Sequence, residues 1–240
     1  AKRIEHVGSN GVVVGISGGL DSTLALLVSV SAMKLLGKNN SDILGVTMPG
    51  FGTTDRTYQN AIDLMKSLGV TIKEISIKDA CVLHMKDIEH DSSVKDITYE
   101  NTQARERTQI LFDLANKHGK LLVGTGDLSE LAMGWCTYNG DHMSMYGVNA
   151  SVPKTLVKYL VEYVANVSDK KTADILFDVL DTPVSPELLP PDENGNIAQK
   201  TEDNIGPYEL HDFFLYNFVR FGFEKNKLKR LALKAFDGKY

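Results

Sequence analysis

The stretch Gly11-Val-Val-Val-Gly-Ile-Ser-Gly-Gly-Leu-Asp-Ser-Thr23 decides the fold of this chain. Its short apolar run, residues 12–16, predicts a buried strand, and an amphipathic helix is predicted from residue 22 to about residue 36. Between them, glycines let the backbone approach an anion closely, and the first N–H groups of the helix point towards it. Ser17 and Ser22 add hydroxyl donors. The stretch therefore predicts a phosphate-binding loop.

Asp21 distinguishes this loop from the two commonest nucleotide-binding loops. Leu20-Asp-Ser22 stands where a Walker loop has Gly-Lys-Ser/Thr, and the spacing of Gly15, Gly18 and Gly19 does not fit Gly-x-Gly-x-x-Gly. A carboxylate beside phosphates repels them unless a cation lies between, so Asp21 predicts a bound cation. An ordinary glycine turn between a strand and a helix is the alternative.

Bulk composition indicates an ordinary soluble globular protein. The chain has 240 residues, of which 42% are hydrophobic and 24% charged, and its net charge of −5 argues against non-specific nucleic-acid binding. We find no apolar run long enough to span a bilayer and no secretory signal pattern. Two cysteines do not make a disulfide framework, so a cytoplasmic location is expected. Because the chain begins without Met, it is expected to be part of something larger.

Strand and helix signals alternate along the first half of the chain. Strands are predicted at 12–16, 43–48, 71–77 and 120–124, and helices at 22–36, 54–68 and 98–118. This alternation predicts an α/β fold, an open doubly wound parallel sheet with helices on both faces. Such sheets bind ligands beyond the carboxyl ends of their strands. Ser17, Met48 and Thr125 follow three strands and are expected to meet in one crevice.

The second half of the chain predicts further helices at 153–167, 207–221 and 225–236. The proline-rich segment 182–199 between them predicts a loop and a candidate lid. We divide the chain into a core, residues 1–170, and a C-terminal extension of the same domain, residues 171–240. The extension contains a mobile loop at about 182–205 and packing helices.

A second group of polar residues follows the fourth predicted strand. Thr125 repeats the arrangement of Ser17, and Glu130 follows where a helix is expected to begin. Asp21 and Glu130 can then meet as oxygen ligands for Mg²⁺, with the phosphates of the bound ligand completing the shell. Lys154, near the start of a later helix, can neutralise a phosphate. As simpler alternatives, Glu130 can answer the helix dipole and Lys154 can be a solvated surface lysine.

Several further residues allow two interpretations. Trp135 and Tyr138 fit a core or rim pair as well as a base-stacking platform. Asp141 fits a turn cap as well as a reacting centre. Cys81 and His84 stand at helical spacing, but a structural cysteine is the favoured interpretation, and the histidines offer no zinc spacing.

The motifs together resemble a known family. Ser-Gly-Gly-x-Asp-Ser at 17–22 resembles the pyrophosphate loop of ATP pyrophosphatases, which cleave ATP between its α- and β-phosphates. It is followed by Gly-Thr-Gly-Asp-Leu-Ser-Glu-Leu-Ala at 124–132, Gly-Trp-x-Thr-Tyr at 134–138 and Val-Pro-Lys at 152–154. With segments 100–107, 181–188 and 206–213, these resemble NAD synthetase, most of all the synthetase domain of the glutamine-dependent kind.

The resemblance implies roles for individual residues. It implies contacts with ATP at Gly15, Ser17, Gly18, Gly19, Asp21, Ser22, Met48, Thr125, Lys154 and Ser185. It implies contacts with the dinucleotide substrate, deamido-NAD, at Asn101, Arg105, Glu130, Trp135, Cys136, Thr137 and Tyr138. Asp21 and Glu130 match metal ligands, and Asp21, Lys154 and Asp141 are the expected catalytic residues.

The resemblance also implies a reaction and its partners. ATP would activate the carboxylate of deamido-NAD as an acyl-adenylate, and ammonia would convert it to NAD with release of AMP and pyrophosphate. A glutaminase domain that supplies ammonia is expected in the full-length protein, together with Mg²⁺ and a homo-oligomeric state. No nucleic-acid or membrane partner is expected. The alternatives are another ATP-pyrophosphatase ligase, such as GMP synthetase, and a non-catalytic adenine-nucleotide sensor.

Overall fold

A five-stranded sheet lies at the centre of the protein, and every pair of neighbouring strands is parallel. The structure, a computed structural model, describes residues 1–185, 188–190 and 201–240. The strands are β1 (Val12–Gly15), β2 (Ile43–Thr47), β3 (Thr71–Glu74), β4 (Leu121–Gly124) and β5 (Tyr146–Gly147), in the order β3-β2-β1-β4-β5. The predicted α/β fold with an open parallel sheet is confirmed.

Helices cover both faces of the sheet. In chain order they are α1 (Lys2–His6), α2 (Leu20–Leu35), α3 (Asp55–Ser67), α4 (Lys78–Asp87), α5 (Ile97–His118), α6 (Leu128–Met133), α7 (Lys154–Val167), α8 (Lys170–Asp181), α9 (Thr201–Ile205), α10 (Tyr208–Phe221) and α11 (Lys225–Ala235). Helices α2, α3, α7 and α8 share one apolar core with Val12 and Val14. Helices α4 and α5 share the other with Val13, as expected of a doubly wound sheet.

Strand β1 is the innermost strand and sets the position of the site. Val12, Val13 and Val14 are fully buried, because alternate side chains point to opposite faces and helices cover both. Val12 pairs with Ile43 of β2 on one side and with Leu121 of β4 on the other. The strand order reverses between β1 and β4, and open α/β sheets bind ligands at such a point, beyond the carboxyl ends.

The boundaries of two elements differ from prediction near that point. β1 ends at Gly15, one residue before the predicted end. Helix α2 begins at Leu20 rather than at residue 22, because Gly19, with an extended backbone, is its N-cap. The earlier start places Asp21 in the first helical turn, close to the unpaired N–H groups of α2.

Strand β3 is shorter than predicted, ending at Glu74 instead of residue 77. It lies at the edge of the sheet and exposes three of its four residues. Ile77 leaves the strand direction and becomes the fully buried N-cap residue of α4. Strand β2 ends at Thr47 and β4 begins at Leu121, one residue inside each prediction.

Strand β5 and helices α1 and α8 were not predicted. A two-residue strand carries no periodicity that a sequence pattern could reveal. Helix α8 follows Asp169, whose side chain accepts a hydrogen bond from Thr172 N at 3.2 Å. It packs against α7 and α3, so the predicted division at residue 170 falls between two helices in contact.

The C-terminal part of the chain contains the two predicted helices, as α10 and α11. Of the predicted loop, residues 186–187 and 191–200 lie outside the described residues. The last residues of the range 182–205 form α9 rather than loop. No helix within the described ranges is long and apolar enough to cross a membrane.

Candidate active site

The loop after β1 is held in a tight conformation by its glycines and serines. Gly18 has a φ of +93°, and a Cβ atom there would lie 2.0 Å from the carbonyl oxygen of Thr57 on α3. Gly19 N donates to Ser17 Oγ at 3.2 Å, and Ser22 Oγ donates to Gly19 O at 3.1 Å. The loop therefore wraps the start of α2, where backbone N–H groups can bind an anion.

Lys154 lies among three carboxylates at the start of three helices. Its Nζ contacts Asp21 and lies 2.9 Å from Asp127 Oδ2 and 2.8 Å from Glu130 Oε1. Asp21 belongs to the first turn of α2, Asp127 and Glu130 follow β4, and Lys154 begins α7. Because β1 and β4 are neighbours, the segments that follow them meet at one point.

The environment of Lys154 excludes the simpler interpretation of this residue. It is 3% exposed, so it is not a solvated surface lysine. Glu130 lies in the first turn of α6, where a carboxylate answers the helix dipole, and it also contacts Lys154. The backbone of this region is tied together by Asn149, whose Nδ2 donates to Asp21 O and to Thr125 O, both at 3.0 Å.

The electrostatics of this cluster favour additional positive charge. Burial raises the pKa of Asp21, Lys154 partly opposes that shift, and Glu130 and Asp127 raise the pKa further. The pKa of Glu130 is raised for the same main reason, burial. Burial alone would lower the pKa of Lys154, but the three carboxylates hold it well above its usual value. One ammonium thus faces three carboxylates, and a bound cation would relieve their mutual repulsion.

The donor set fits Mg²⁺. One carboxylate oxygen from each of Asp21, Asp127 and Glu130 can be chosen so that all three lie within 4.8 Å of one another. Asp21 Oδ1 is buried and accepts no hydrogen bond from the described residues. Hard carboxylate oxygens are the ligands that Mg²⁺ prefers, usually with substrate phosphates completing its shell. The predicted ligands Asp21 and Glu130 are therefore brought together, and Asp127 joins them.

A cavity of about 560 Å³ opens above this cluster. Its walls include most residues predicted to contact ATP, namely Gly15, Ser17, Gly19, Asp21, Ser22, Met48, Thr125 and Ser185. Gly18 and Lys154 do not line it: Gly18 packs on α3, and Lys154 lies beneath the carboxylates. The cavity is thus lined by hydroxyl groups, by the N-terminus of α2 and by carboxylates. It can bind a polyanion together with a cation.

Most residues predicted to contact the dinucleotide line the same cavity. They are Asn101, Glu130, Trp135, Cys136 and Thr137. Thr137 organises this wall: its Oγ1 donates to Asn101 Oδ1 at 2.8 Å, and its backbone N donates to Asp141 Oδ1 at 2.7 Å. Burial raises the pKa of Asp141, although that hydrogen bond opposes the shift. Asp141 therefore both caps this turn and lies in the cavity wall.

Arg105 and Tyr138 are not in the wall of the cavity. Arg105 is exposed and its Nε donates to Tyr138 O at 3.2 Å, while the Tyr138 side chain is exposed too. Helix α5 instead turns Arg107 to the cavity, where its Nε donates to Met48 O at 3.1 Å. The predicted dinucleotide contacts of Arg105 and Tyr138 stay predictions, and Arg107 is a cavity residue that the sequence did not single out.

Sequence reasoning also missed Asp127, although a signal was available. Asp127 is the N-cap of α6, and its Oδ1 accepts a hydrogen bond from Glu130 N at 2.8 Å. An aspartate three residues before a glutamate at a helix start is a capping pattern. That pattern identifies the cap but gives no indication that the second oxygen, Oδ2, reaches Lys154. For Asn149 we find no comparable signal in the sequence.

Comparison with known proteins identifies the family. The model of the NAD synthase family matches residues 1–231. The glutamine-dependent NAD(+) synthetase of Mycobacterium leprae is 48% identical over 231 residues, which cover 93% of this chain and 34% of that protein. This chain therefore spans about a third of the length of that relative.

Solved structures agree with this match. A glutamine-dependent NAD+ synthetase from Acinetobacter baumannii, in complex with ADP, superposes with a TM-score of 0.68 and 29% identity, over 96% of this chain and 41% of that chain. An NMN synthetase from Francisella tularensis has the same fold, with a TM-score of 0.74 and 24% identity, over 96% of this chain and 86% of that chain. Since the family match extends over residues 1–231, this chain belongs to the NAD synthase family.

Proposed function

We propose that this chain is the ATP-dependent amidating unit of an NAD synthetase. It would activate the carboxylate of deamido-NAD as an acyl-adenylate and transfer ammonia to it, giving NAD, AMP and pyrophosphate. The observation that supports this proposal most strongly is that the loop after β1 and the carboxylates around Lys154 meet at the cavity. The cavity lies at the point where the strand order reverses. Family membership supports the same reaction.

The loop and Lys154 would act on the departing pyrophosphate. The N–H groups at the start of α2 and the hydroxyls of Ser17 and Ser22 would hold the phosphates in line with the attacking carboxylate. Lys154 would offset charge that develops on the leaving group, because it is fixed and shielded from water before ATP arrives. Magnesium, held by Asp21, Glu130 and also Asp127, would supply electrostatic stabilisation of that charge.

The wall around Thr137 would hold the acyl group. Asn101 and Thr137 are hydrogen-bonded to each other, so their side chains are already oriented towards the cavity before the substrate binds. Asp141, which lies in the cavity wall, would accept a proton from the incoming ammonium, and burial favours this role by raising its pKa. Cys136 would remain a thiol and a neutral contact, since burial and the carboxylate of Asp141 raise its pKa.

The partners of the reaction are part of the proposal. The relative from Mycobacterium leprae carries the name glutamine-dependent NAD(+) synthetase and is about three times as long as this chain. We therefore propose that ammonia reaches the cavity from a glutaminase domain in the full-length protein. We also propose one domain with a core at 1–170 and an extension at 171–240, and assembly into a homo-oligomer.

Pyrophosphate release tests the proposed function. With Mg²⁺-ATP and ammonium, the protein should release pyrophosphate only when deamido-NAD is present, and NAD should appear in equal amount. Asp21→Asn removes one metal ligand and should lower turnover on the order of 100-fold with a much smaller change in substrate binding. Asp79→Asn, an exposed change on α4, is the matched control. Release that ignores deamido-NAD, or ATP binding without release, would favour another ligase or a sensor.

A further inference from the structure

Helix α7, which begins with Lys154, has no cap of its own. Its N-cap residue is Pro153, which has no polar side chain, and no side-chain hydrogen bond is made by that residue. The first N–H groups of a helix lack partners within the helix and must find them elsewhere when they are buried. The start of α7 is buried at Lys154, so other elements must supply its acceptors.

Two buried side chains from other helices supply those acceptors. Lys154 N donates to Ser129 Oγ of α6 at 2.9 Å, and Thr155 N donates to Asp212 Oδ2 of α10 at 2.8 Å. Ser129 Oγ in turn donates its proton to Asp212 Oδ1, which closes the network. Ser129 is fully buried and Asp212 nearly so, which shields these hydrogen bonds from competing water.

Helix α10 also contacts the side chain of Lys154. Tyr208, one turn before Asp212, is buried, and Lys154 Nζ lies 5.3 Å from the centroid of its ring. A cation over an aromatic face is held by the ring quadrupole. Helix α10 thus contacts Lys154 in two ways. Asp212 holds the backbone of Lys154 through Ser129, and the ring of Tyr208 lies next to its ammonium group.

We propose that Asp212 is a positioning residue of the reaction, acting through Ser129 and Thr155 to fix Lys154 beneath the carboxylates at the floor of the cavity. This rests on the proposed function, in which Lys154 neutralises the leaving pyrophosphate. Helix α10 thereby supports the reaction through its contacts with the start of α7, although none of its residues is in the described cavity wall.

The donors around position 212 explain why a carboxylate is required there. Ser129 Oγ accepts from Lys154 N, so its single proton must go to another acceptor. Thr155 N also needs an acceptor. An ionised aspartate offers two acceptor oxygens, whereas asparagine offers one acceptor and two donors. Asp212→Asn must therefore either break one of the two hydrogen bonds or reverse the one to Ser129, which leaves the Ser129 proton without its acceptor. Either change should loosen the start of α7.

A double-mutant cycle tests the proposal in the protein at its natural full length. Asp212→Asn should lower kcat for pyrophosphate release about tenfold, with little change in the KM for ATP, because the misplaced group acts mainly in the transition state. In the Lys154→Met variant, whose rate is measured in single turnovers, adding Asp212→Asn should cause no further loss of the rate of pyrophosphate release. Glu209→Gln removes the other carboxylate of α10, whose partner is the exposed Lys239 away from Lys154, so it is the matched control and should leave kcat unchanged.

Crystal structures of the same variants give a readout that does not need activity. The Asp212→Asn structure should show Lys154 Nζ displaced from the carboxylates, while the Glu209→Gln structure should not. If Asp212→Asn does not fold, Ser129→Ala removes the other half of the network and carries both measurements. Equal losses of kcat in the two backgrounds, or an unmoved Lys154, would overturn the proposal. Absence of activity in the unmodified protein would overturn the proposed function instead, and the position of Lys154 would still decide the role of Asp212.

Discussion

Gly18 is the residue at which the backbone of the loop leaves no choice of side chain. Its φ of +93° is a conformation that L residues rarely adopt, and a Cβ atom would collide with the carbonyl oxygen of Thr57. We expect Gly18→Ala to reduce the free energy of unfolding by at least about 2 kcal/mol, because strain and a backbone collision add together. Urea unfolding followed by circular dichroism measures this loss.

Gly19 provides the matched control for this prediction. Its φ is −89°, and a Cβ atom there would meet only Ser17 Oγ at 3.5 Å, an ordinary contact. Gly19→Ala should therefore change the free energy of unfolding by less than about 1 kcal/mol. Equal losses for the two variants would mean that the loop is not packed on α3 as described.

Asp127 combines a structural and a chemical role in one carboxylate, and two variants can separate them. Asparagine is as good an N-cap as aspartate, so Asp127→Asn should keep the cap on α6 while it removes the charge next to Lys154. We expect turnover to fall about tenfold with little change in stability. Asp127→Ala should in addition lose about 1 kcal/mol of stability, measured by thermal unfolding. An Asp127→Asn variant with normal turnover would leave the residue only its capping role.

Site residues could be predicted from the sequence where they belong to a short local motif. Ser17 and Asp21 lie on either side of the start of α2, and Glu130 follows the end of the neighbouring strand β4, so their approach follows from the fold. The hydrogen bond between Ser129 and Asp212 joins residues 83 positions apart, and no local pattern specifies it. The cavity-facing position of Arg107 depends on how α5 is rotated about its axis, which its weak apolar periodicity does not fix.

At the scale of elements, a polar clamp joins α3 to α8. Arg56 donates from Nε and from a terminal nitrogen to the two carboxylate oxygens of Asp178, at 3.0 and 2.7 Å. Asn60 Nδ2 donates to Asp178 Oδ2 at 2.6 Å. Because the ion pair is 43% exposed on each side, solvent screens it, and we expect Asp178→Asn to cost about 1 kcal/mol at pH 7.

The same clamp predicts a dependence of stability on pH. The hydrogen bond from Arg56 lowers the pKa of Asp178, with a smaller contribution from Asn60, so the unfolded chain binds a proton at Asp178 more readily than the folded one. The stabilisation is then complete above the pKa of an unfolded aspartate, about 3.9, and is lost as the pH falls through the lower folded pKa.

The free energies of unfolding of the parent and of Asp178→Asn should therefore differ most at pH 7, and this difference should become smaller towards pH 3. Measurements of the free energy of unfolding in urea at several pH values check this. Asp174→Asn, at an exposed position on the same helix, is the control for the change in net charge. A cost that does not vary with pH would show that Asp178 acts through packing rather than through its charge.

Elements were predictable in proportion to their length and to the strength of their pattern. Strands β1 and β2 are apolar runs, and α5 has 22 residues between an aspartate cap and a left-handed glycine, so their existence is encoded locally. The two residues of β5 pair with β4 only because the tertiary fold brings them there. Helix α8 had a cap signal at Asp169, but its apolar face has meaning only beside α3 and α7.

At the scale of the whole molecule, the order of the strands decides where the chemistry lies. Alternating strands and helices predict parallel pairing, and the right-handed crossover rule then limits the possible orders. Placing β4 next to β1 creates the crevice in which the segments after both strands meet. That placement requires the connection from β3 to β4 to cross β2 and β1, and the sequence itself carries no signal for it.

Helix α7 is apolar on both sides, which predicts self-association of the whole molecule. Val157, Val161 and Ala165 are buried against the core. On the opposite side, Leu156, Tyr159, Tyr163 and Val167 form an exposed stripe at helical spacing. Monomeric soluble proteins rarely leave such a patch open, and a stripe along one helix can pair with its own copy about a two-fold axis. We therefore expect a second copy of this chain to cover the stripe.

Light scattering coupled to size-exclusion chromatography, over a range of protein concentrations, tests this expectation. The parent should be an oligomer, and Tyr159→Glu combined with Tyr163→Glu should shift it towards monomer, because pairing would bury four unpaired carboxylates across the two-fold axis. Phe177→Glu adds the same kind of charge at an exposed aromatic on α8 and should leave the oligomer intact. The variants should unfold like the parent monomer in dilute solution, since the changed side chains face solvent there. A parent that stays monomeric at about 100 µM, far above the concentrations at which specific interfaces assemble, would contradict the prediction.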